Sequence, residues 1–257
     1  MSEFLTALGR AFLDIAGIVG AMGVLFGRIL SRLFRFDFDA RETLACLYKM
    51  GVKSLPIVVV TALFTGGIMV VQAAPTVERF GVHSLLGWGA GFGTLREVGP
   101  LLTALMISGR VGANNTAELG TMVVTEQFDA LRALAIDPLS YLVVPRFIGI
   151  VTTLFLSTVF ADVLALFGAA YAGLPLLGVE PGVFYEGLTG GLLGVGDVVH
   201  GLLKSVVFGI VMALASSEFG IETTGGAPGV GRAVNATVVT SAAGIFVLAY
   251  LVSFAVR

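Results

Sequence analysis

Long apolar stretches separated by short polar segments make up most of this 257-residue chain. Residues 54–77 and 233–256 carry no charged side chain, and each is longer than the ~20 residues that cross the core of a bilayer. Residues 85–109, 142–171 and 197–217 are similarly apolar, although each contains charged side chains. Peptide groups in lipid must be hydrogen-bonded within their own segment, so runs of this length predict α-helices rather than barrel strands. The pattern predicts an all-α polytopic membrane protein with five transmembrane helices.

The first 40 residues hold a shorter apolar run, residues 15–27, which is too short to span a bilayer comfortably. Arg28, Arg32 and Arg35 follow this run, where a signal peptide would have a cleavage site of small residues, which argues against a signal peptide. Apolar residues at helical spacing come before it, interleaved with charges, and they predict an N-terminal helix lying in the membrane interface: Phe4, Leu5, Leu8 and Phe12. A reentrant or tilted helix is the alternative.

Composition supports the membrane class, since 56% of residues are hydrophobic and 12% are charged, against about 25% charged residues in soluble domains. A net charge of −2 gives no indication of nucleic-acid binding. The single Cys46 excludes an internal disulfide. His83 and His200 are widely separated, so we expect packed or interfacial histidines and no metal site.

The distribution of basic residues predicts the orientation, because Lys and Arg concentrate on the cytoplasmic side of membrane proteins. If the N-terminus is cytoplasmic, eleven of the fifteen basic residues lie on that side: Arg10, Arg28, Arg32, Arg35, Arg41, Lys49, Lys53, Arg110, Arg132, Arg146 and Arg232. Arg79 and Arg257 lie opposite. We therefore expect a cytoplasmic N-terminus and a C-terminus on the other side.

Four charges fall well inside predicted spans, away from their ends: Arg96, Glu97, Asp162 and Lys204. From the helical rise of 1.5 Å per residue, Glu97 and Lys204 both lie roughly 20 Å from the cytoplasmic interface, which predicts an ion pair between them. Arg96 and Asp162 lie near that level and extend the predicted charge network. Such charges either hold helices together or border a water-filled cavity in which Arg96 is available to an anionic group such as phosphate. Pro100 removes a backbone donor beside them and weakens the helix there.

Residues 110–141 form a predicted cytoplasmic loop in which acidic and apolar side chains alternate. Phe128, Leu131 and Leu134 recur at helical spacing and predict a short amphipathic helix that ends at Asp137 and Pro138. Most of its charges are acidic, which suits a groove on a protein partner better than an anionic membrane surface.

Glycines mark two further features. Gly87, Gly89, Gly91 and Gly93 form overlapping GxxxG pairs, which predict close helix packing. The stretch GAPGVGRA at residues 226–233 has the glycine spacing of a phosphate-binding loop but lacks its Lys and hydroxyl residue and follows no apolar strand. We interpret it as a cytoplasmic turn, and nothing else in the chain resembles an ATP site.

The stretch REVGPLLTALMISGRVGANNTAELGTMVVTEQFDALRALAIDPLSYLVVPR, from Arg96 to Arg146, closely resembles the signature of the MlaE/YrbE family of ABC-transporter permeases. Weaker motifs extend the resemblance over most of the chain: LLKSVVFG around Lys204 and GVGRAVNATVV before the last span. Residues that match the family pattern are Arg96, Glu97, Glu118, Thr125, Glu126, Asp129 and Lys204. Ala249 stands where several relatives carry an acidic residue, so the family's charge network cannot be carried over whole.

The resemblance implies a homodimeric permease of the bacterial inner membrane that moves phospholipid between the inner and outer membranes and so maintains outer-membrane asymmetry. It implies a separate cytoplasmic ATPase dimer that binds ATP and Mg²⁺, and a periplasmic ring of MCE domains. The resemblance does not decide whether a small regulatory subunit accompanies the ATPase. The ATPase is expected to dock on the loop helix, with Glu118, Thr125, Glu126, Phe128, Asp129 and Arg132 as the coupling residues. By position, the lipid path would include Arg96, Gly66, Met69 and Gln72. The alternative function is an ion- or proton-coupled carrier that uses Glu97, Asp162 and Lys204.

Overall fold

The computed structural model describes residues 2–35, 38–81, 85–191 and 193–256, and every regular element in these ranges is helical. His83 and Arg257, used in the predictions above, lie outside the described residues. Eleven α-helices are described: α1 (Ser2–Phe34), α2 (Ala40–Gly51), α3 (Leu55–Phe80), α4 (Leu85–Gly93), α5 (Gly99–Ile107), α6 (Ala113–Val124), α7 (Gln127–Ala133), α8 (Val144–Leu177), α9 (Pro181–Thr189), α10 (Val195–Ile221) and α11 (Gly226–Ala255). The predicted all-α class is confirmed.

Five helical stretches among the described residues are long and apolar enough to cross a membrane: Phe12–Phe34, Ala40–Phe80, Leu139–Leu177, Val195–Ile221 and Gly226–Ala255. The chain is therefore a multi-pass membrane protein. The five differ from the predicted set, because the N-terminal stretch qualifies while the predicted span 85–109 does not. Within 85–109, Arg96, Glu97 and the glycines lower the hydropathy that a long apolar helix would have.

Helix α1 is long enough to cross a membrane, yet two of its contacts lie together at one end of the bundle. Phe26 packs 6.2 Å from Phe147 at the start of α8, and Arg32 forms an ion pair with Asp137 at 3.0 Å. Both partners lie next to the predicted cytoplasmic loop. A helix that crossed the bilayer would meet residues at both ends of α8, so these contacts favour the interfacial placement.

Helices α4 to α6 follow one another with π-helical turns at Thr94–Val98 and Ser108–Gly112. The first half of the predicted loop is therefore helix that continues to Val124, which corrects the boundary at residue 110. Helix α7 ends at Ala133, and Ala135 has a left-handed φ of 58°. This helix ends before Asp137 and Pro138 because the backbone reverses direction at Ala135.

The longest helices pack through glycines. A Cβ on Gly66 of α3 would lie 1.8 Å from the carbonyl oxygen of Ala165, and one on Gly168 of α8 would lie 2.1 Å from that of Leu63. Gly87 makes a similarly close approach to Phe184 of α9, a helix that lies between the predicted spans 142–171 and 197–217. The predicted packing function of the GxxxG segment is thus supported at Gly87.

The last helix begins at Gly226, seven residues before the predicted start of the fifth span. The stretch GAPGVGRA therefore forms the first turns of α11, and the predicted turn is wrong. The turn lies where the helix begins, because Gly225 and Gly226 have φ values of 84° and 68° that glycine adopts readily.

Candidate functional site

The predicted ion pair within the bundle is present. Nζ of Lys204 on α10 lies 2.6 Å from Oε1 of Glu97 and donates to the carbonyl oxygen of Arg96 at 3.1 Å. The Lys204 side chain is 1% exposed, whereas that of Glu97 is 43% exposed. The hydroxyl of Ser253 on α11 lies 3.1 Å from the same Glu97 oxygen. One carboxylate therefore joins α10 and α11 to the π-helical turn.

Arg96 does not join that pair. Its Nη1 lies 2.8 Å from Oδ1 of Asp197 in the first turn of α10, and its guanidinium lies 5.4 Å from the ring centre of Phe92. Asp197 also accepts a hydrogen bond from the backbone N–H of Gly194, which caps the helix. The predicted availability of Arg96 to an anion is reduced because Asp197 already neutralises it. Asp197 was missed, although an acid three residues after a glycine is the signal of a helix N-terminus.

Asp162 lies at the predicted depth but outside the charge network. Its side chain is buried, and its Oδ1 atom has no hydrogen-bond partner within the described residues. That atom faces α5, because a Cβ on Gly99 would lie 2.1 Å from it. The extension of the network to Asp162 is wrong. Within the part of the chain that the structure describes, Glu97, Lys204 and Asp162 form no continuous hydrogen-bonded relay.

A second cluster of charges surrounds Glu118 on α6. The Glu118 carboxylate lies 2.5 Å from Nζ of Lys49 on α2 and 3.5 Å from Nη1 of Arg146 on α8, and it accepts a hydrogen bond from Asn114 at 2.6 Å. Burial acts to raise the pKa of Glu118, but the hydrogen bond from Lys49 and the charge of Arg146 outweigh it, so the pKa lies below its usual value. Glu118 thus ties three helices together rather than facing a partner.

Buried polar groups continue this cluster toward α10 and α11. Arg146 is 5% exposed and donates to the side-chain oxygen of Asn115 at 3.3 Å, while Asn115 donates to the hydroxyl of Ser216 at 2.9 Å. The hydroxyls of Thr116 and Thr237 lie 2.8 Å apart. Each polar atom finds a partner on another helix, as buried groups require. These contacts fix α6, and with it the start of α7, against the rest of the bundle.

Helix α7 presents a polar surface and buries its aromatic residue. Phe128 is 6% exposed and packs with Leu119 and Leu142 of this chain, and its contact with a partner stays a prediction. Asp129 and Arg132 form an exposed ion pair at 2.9 Å, and Thr125 and Glu126 are also exposed. Of the apolar face of the amphipathic helix, Phe128 is covered by this chain and Leu131 is half-buried, whereas Leu134 is 70% exposed. The charged face is left available.

The predicted lipid path is only partly accessible. Gly66 is buried against the backbone of α8, so its assignment to the path is wrong. Met69 is half-buried, and its methyl carbon would lie 2.7 Å from a Cβ on Gly93. Gln72 is exposed.

The sequence model of the family described as Permease MlaE matches residues 43–255. The chain belongs to the MlaE permease family. It is 30% identical over 240 residues to the Intermembrane phospholipid transport system permease protein MlaE of Haemophilus influenzae, covering 92% of this chain and 91% of that one. It is also 35% identical over 230 residues to a "Probable ABC transporter permease protein" of Synechocystis, covering 90% of this chain and 87% of the relative. A chloroplastic Arabidopsis protein, TRIGALACTOSYLDIACYLGLYCEROL 1, is 32% identical over 230 residues, or 90% of this chain and 65% of the relative.

Membership of the MlaE permease family classes this chain as a transporter permease and not as an enzyme. The match includes the Glu97–Lys204 pair, the Glu118 cluster and α7, and it leaves out the whole of α1.

Proposed function

We propose that this chain is the permease subunit of an ATP-driven transporter that moves phospholipid between the inner membrane and a periplasmic MCE-domain protein. The observation that carries the proposal is the 30% identity, over nine-tenths of both chains, to the Haemophilus phospholipid permease. The chain works as a homodimer, with its N-terminus in the cytoplasm and its C-terminus in the periplasm. Transport of this kind maintains lipid asymmetry in the outer membrane.

Energy comes from a separate ATPase dimer that binds ATP and Mg²⁺ and docks on α7. The charged face of this helix supports the proposal, because Asp129 is 72% exposed and Arg132 is 65% exposed. Phe128 anchors the other face within the chain, so a force on α7 reaches α6 through packed side chains. The Glu118 cluster then links α6 to α2 and α8.

The ion- or proton-coupled carrier is disfavoured, because the structure separates Asp162 from the Glu97–Lys204 pair. The ABC transporter permease names among the relatives also favour an ATP-driven system.

Purification of the full chain in mild detergent tests the assembly. We expect an ATPase to co-purify, with two copies of each subunit per complex. Replacing Glu126→Lys and Asp129→Lys together should reduce the co-purified ATPase, since both side chains are exposed on the proposed docking face. A matched control, Glu78→Lys with Glu180→Lys, reverses two exposed carboxylates predicted to lie on the opposite side of the membrane. An equal amount of ATPase with both double variants would refute docking on α7.

A further inference from the structure

A polar cavity of about 260 Å³ lies beside the Glu118 cluster, where the end of α2 and the residues that follow it meet the π-helical turn Ser108–Gly112 and the start of α6. It is distinct from the intramembrane Glu97–Lys204 pair. Its lining combines basic and polar side chains with two apolar ones: Lys49, Met50, Lys53, Ser54, Arg110, Val111, Asn114 and Glu118.

The cavity carries an excess of positive charge. Three cations line it, Lys49, Lys53 and Arg110, against the single carboxylate of Glu118. Glu118 is already engaged by Lys49 and Asn114 and lies 3.5 Å from Arg146. Lys53 and Arg110 are exposed and form no ion pair within the described part of the chain. Two cations therefore point to a ligand that supplies the missing negative charge.

The surroundings indicate which anion this is. Helix α3 begins at Leu55, directly after Lys53, and its next turns expose apolar side chains to the outside of the bundle: Ile57, Val59, Val60 and Phe64. The cavity thus lies where the protein surface changes from charged to apolar, which is where lipid headgroups lie. Its volume is below the ~300–1,000 Å³ of pockets that enclose whole drug-sized ligands, which suits a headgroup whose acyl chains stay in the bilayer.

We propose that Lys53, Arg110 and Lys49 bind the phosphate of an anionic phospholipid from the cytoplasmic leaflet. Arg110 offers a planar set of donors, and the lysines act as flexible point charges. This goes beyond the proposed function, since it would hold whichever lipid is transported and even if transport were not ATP-driven.

Binding has a consequence for the Glu118 cluster. Lys49 lies in the cavity and also 2.5 Å from Glu118, so an anion in the cavity competes with Glu118 for the same ammonium group. The headgroup site is therefore connected to α6, which leads into α7.

Spin-labelled phosphatidylglycerol and phosphatidylcholine provide the test. The full chain is placed in phosphatidylcholine nanodiscs, and the motionally restricted fraction of each labelled lipid is measured by electron paramagnetic resonance. We expect preferential association of phosphatidylglycerol, weakened about fivefold for each cation removed in the Lys53→Gln/Arg110→Gln variant. The control Arg35→Gln/Arg41→Gln removes two exposed cations from outside the cavity and should change the association less than about twofold, because screening limits distant charges.

Three results would overturn the proposal. Equal weakening by both double variants would show that the general surface charge attracts the lipid. No preference for phosphatidylglycerol in the unaltered protein would show that the cavity does not bind an anionic phospholipid. Binding of inorganic phosphate, measured by calorimetry in the same nanodiscs, without any lipid preference would assign the cavity to a soluble anion. Circular dichroism and size-exclusion elution must match the unaltered protein for each variant.

Discussion

The buried ion pair predicts that its two partners are not equivalent. Lys204 is 1% exposed and Glu97 is 43% exposed. Glu97→Gln leaves an ammonium group in a dry site with only the Arg96 carbonyl oxygen and a neutral amide nearby. Lys204→Met keeps a similar side-chain volume and leaves a carboxylate that is not enclosed by the chain and that still accepts a hydrogen bond from the hydroxyl of Ser253.

The magnitudes follow from this difference in burial. Removing the partner of a buried charge costs about 3–5 kcal/mol, which applies to Glu97→Gln. Lys204→Met should cost about 1–2 kcal/mol, near the lower part of the range for an unsatisfied polar group. A gap of about 2 kcal/mol corresponds to roughly 30-fold in the unfolding equilibrium constant. The double variant should be more stable than Glu97→Gln alone, since it leaves no unpaired charge.

Unfolding by sodium dodecyl sulfate in mixed micelles, followed by circular dichroism, measures these free energies. The double-mutant cycle isolates the interaction between the two side chains. If Lys204→Met proves the more damaging change, or if the two effects simply add, the argument from unequal burial is refuted.

Three further predictions concern packing and pH. Gly66→Ala should destabilise the α3–α8 contact and lower the thermal midpoint of unfolding, because its Cβ would lie 1.8 Å from a carbonyl oxygen. The neighbouring Gly67→Ala is the control, since the nearest atom to its Cβ would be 3.8 Å away. Equal midpoints for the two variants would contradict the proposed close packing at Gly66. Phe128→Asp should destabilise the fold by about 3 kcal/mol in micellar unfolding, as losses of buried aromatic side chains do, and unchanged stability would show that Phe128 is not packed. The pKa of Glu118 is lowered from 4.5, so its stabilisation is complete above that pH and is lost as the pH falls through the folded-state pKa. The free energy of unfolding should therefore decrease less on acidification in Glu118→Gln than in the unaltered protein. An identical decrease in both proteins would contradict the stabilising ion pair and hydrogen bonds assigned to Glu118.

The depth of the charged residues in the membrane could be predicted from the sequence, whereas the direction in which their side chains point could not. A rise of 1.5 Å per residue placed Glu97 and Lys204 at one level, and the pair is present. Consecutive residues on a helix point about 100° apart, so Arg96 faces Asp197 when Glu97 faces Lys204. Asp162 has the right depth but faces α5. Which face a side chain occupies depends on how the helices pack, and one chain's periodicity does not specify that.

The amphipathic pattern of α7 likewise predicted a helix but not what covers its apolar face. Leu119 and Leu142 of the same chain cover Phe128, so the residue expected to meet a partner is an internal anchor. At the start of α11, by contrast, the sequence predicted a turn where the structure has helix. Its first residues are rich in glycine and predicted a turn by propensity, but they form helix, and the left-handed backbone is confined to Gly225 and Gly226.

Movement of phospholipid by the reconstituted complex tests the central proposal most directly. Proteoliposomes containing the co-purified complex and a fluorescent phospholipid are given an acceptor MCE-domain protein, and lipid exchange between the two is followed with ATP or with a non-hydrolysable analogue. We predict that exchange requires hydrolysable ATP and falls to background when the chain is reconstituted alone. Equal exchange by the isolated chain without nucleotide, or exchange driven by a pH gradient, would contradict an ATP-driven permease.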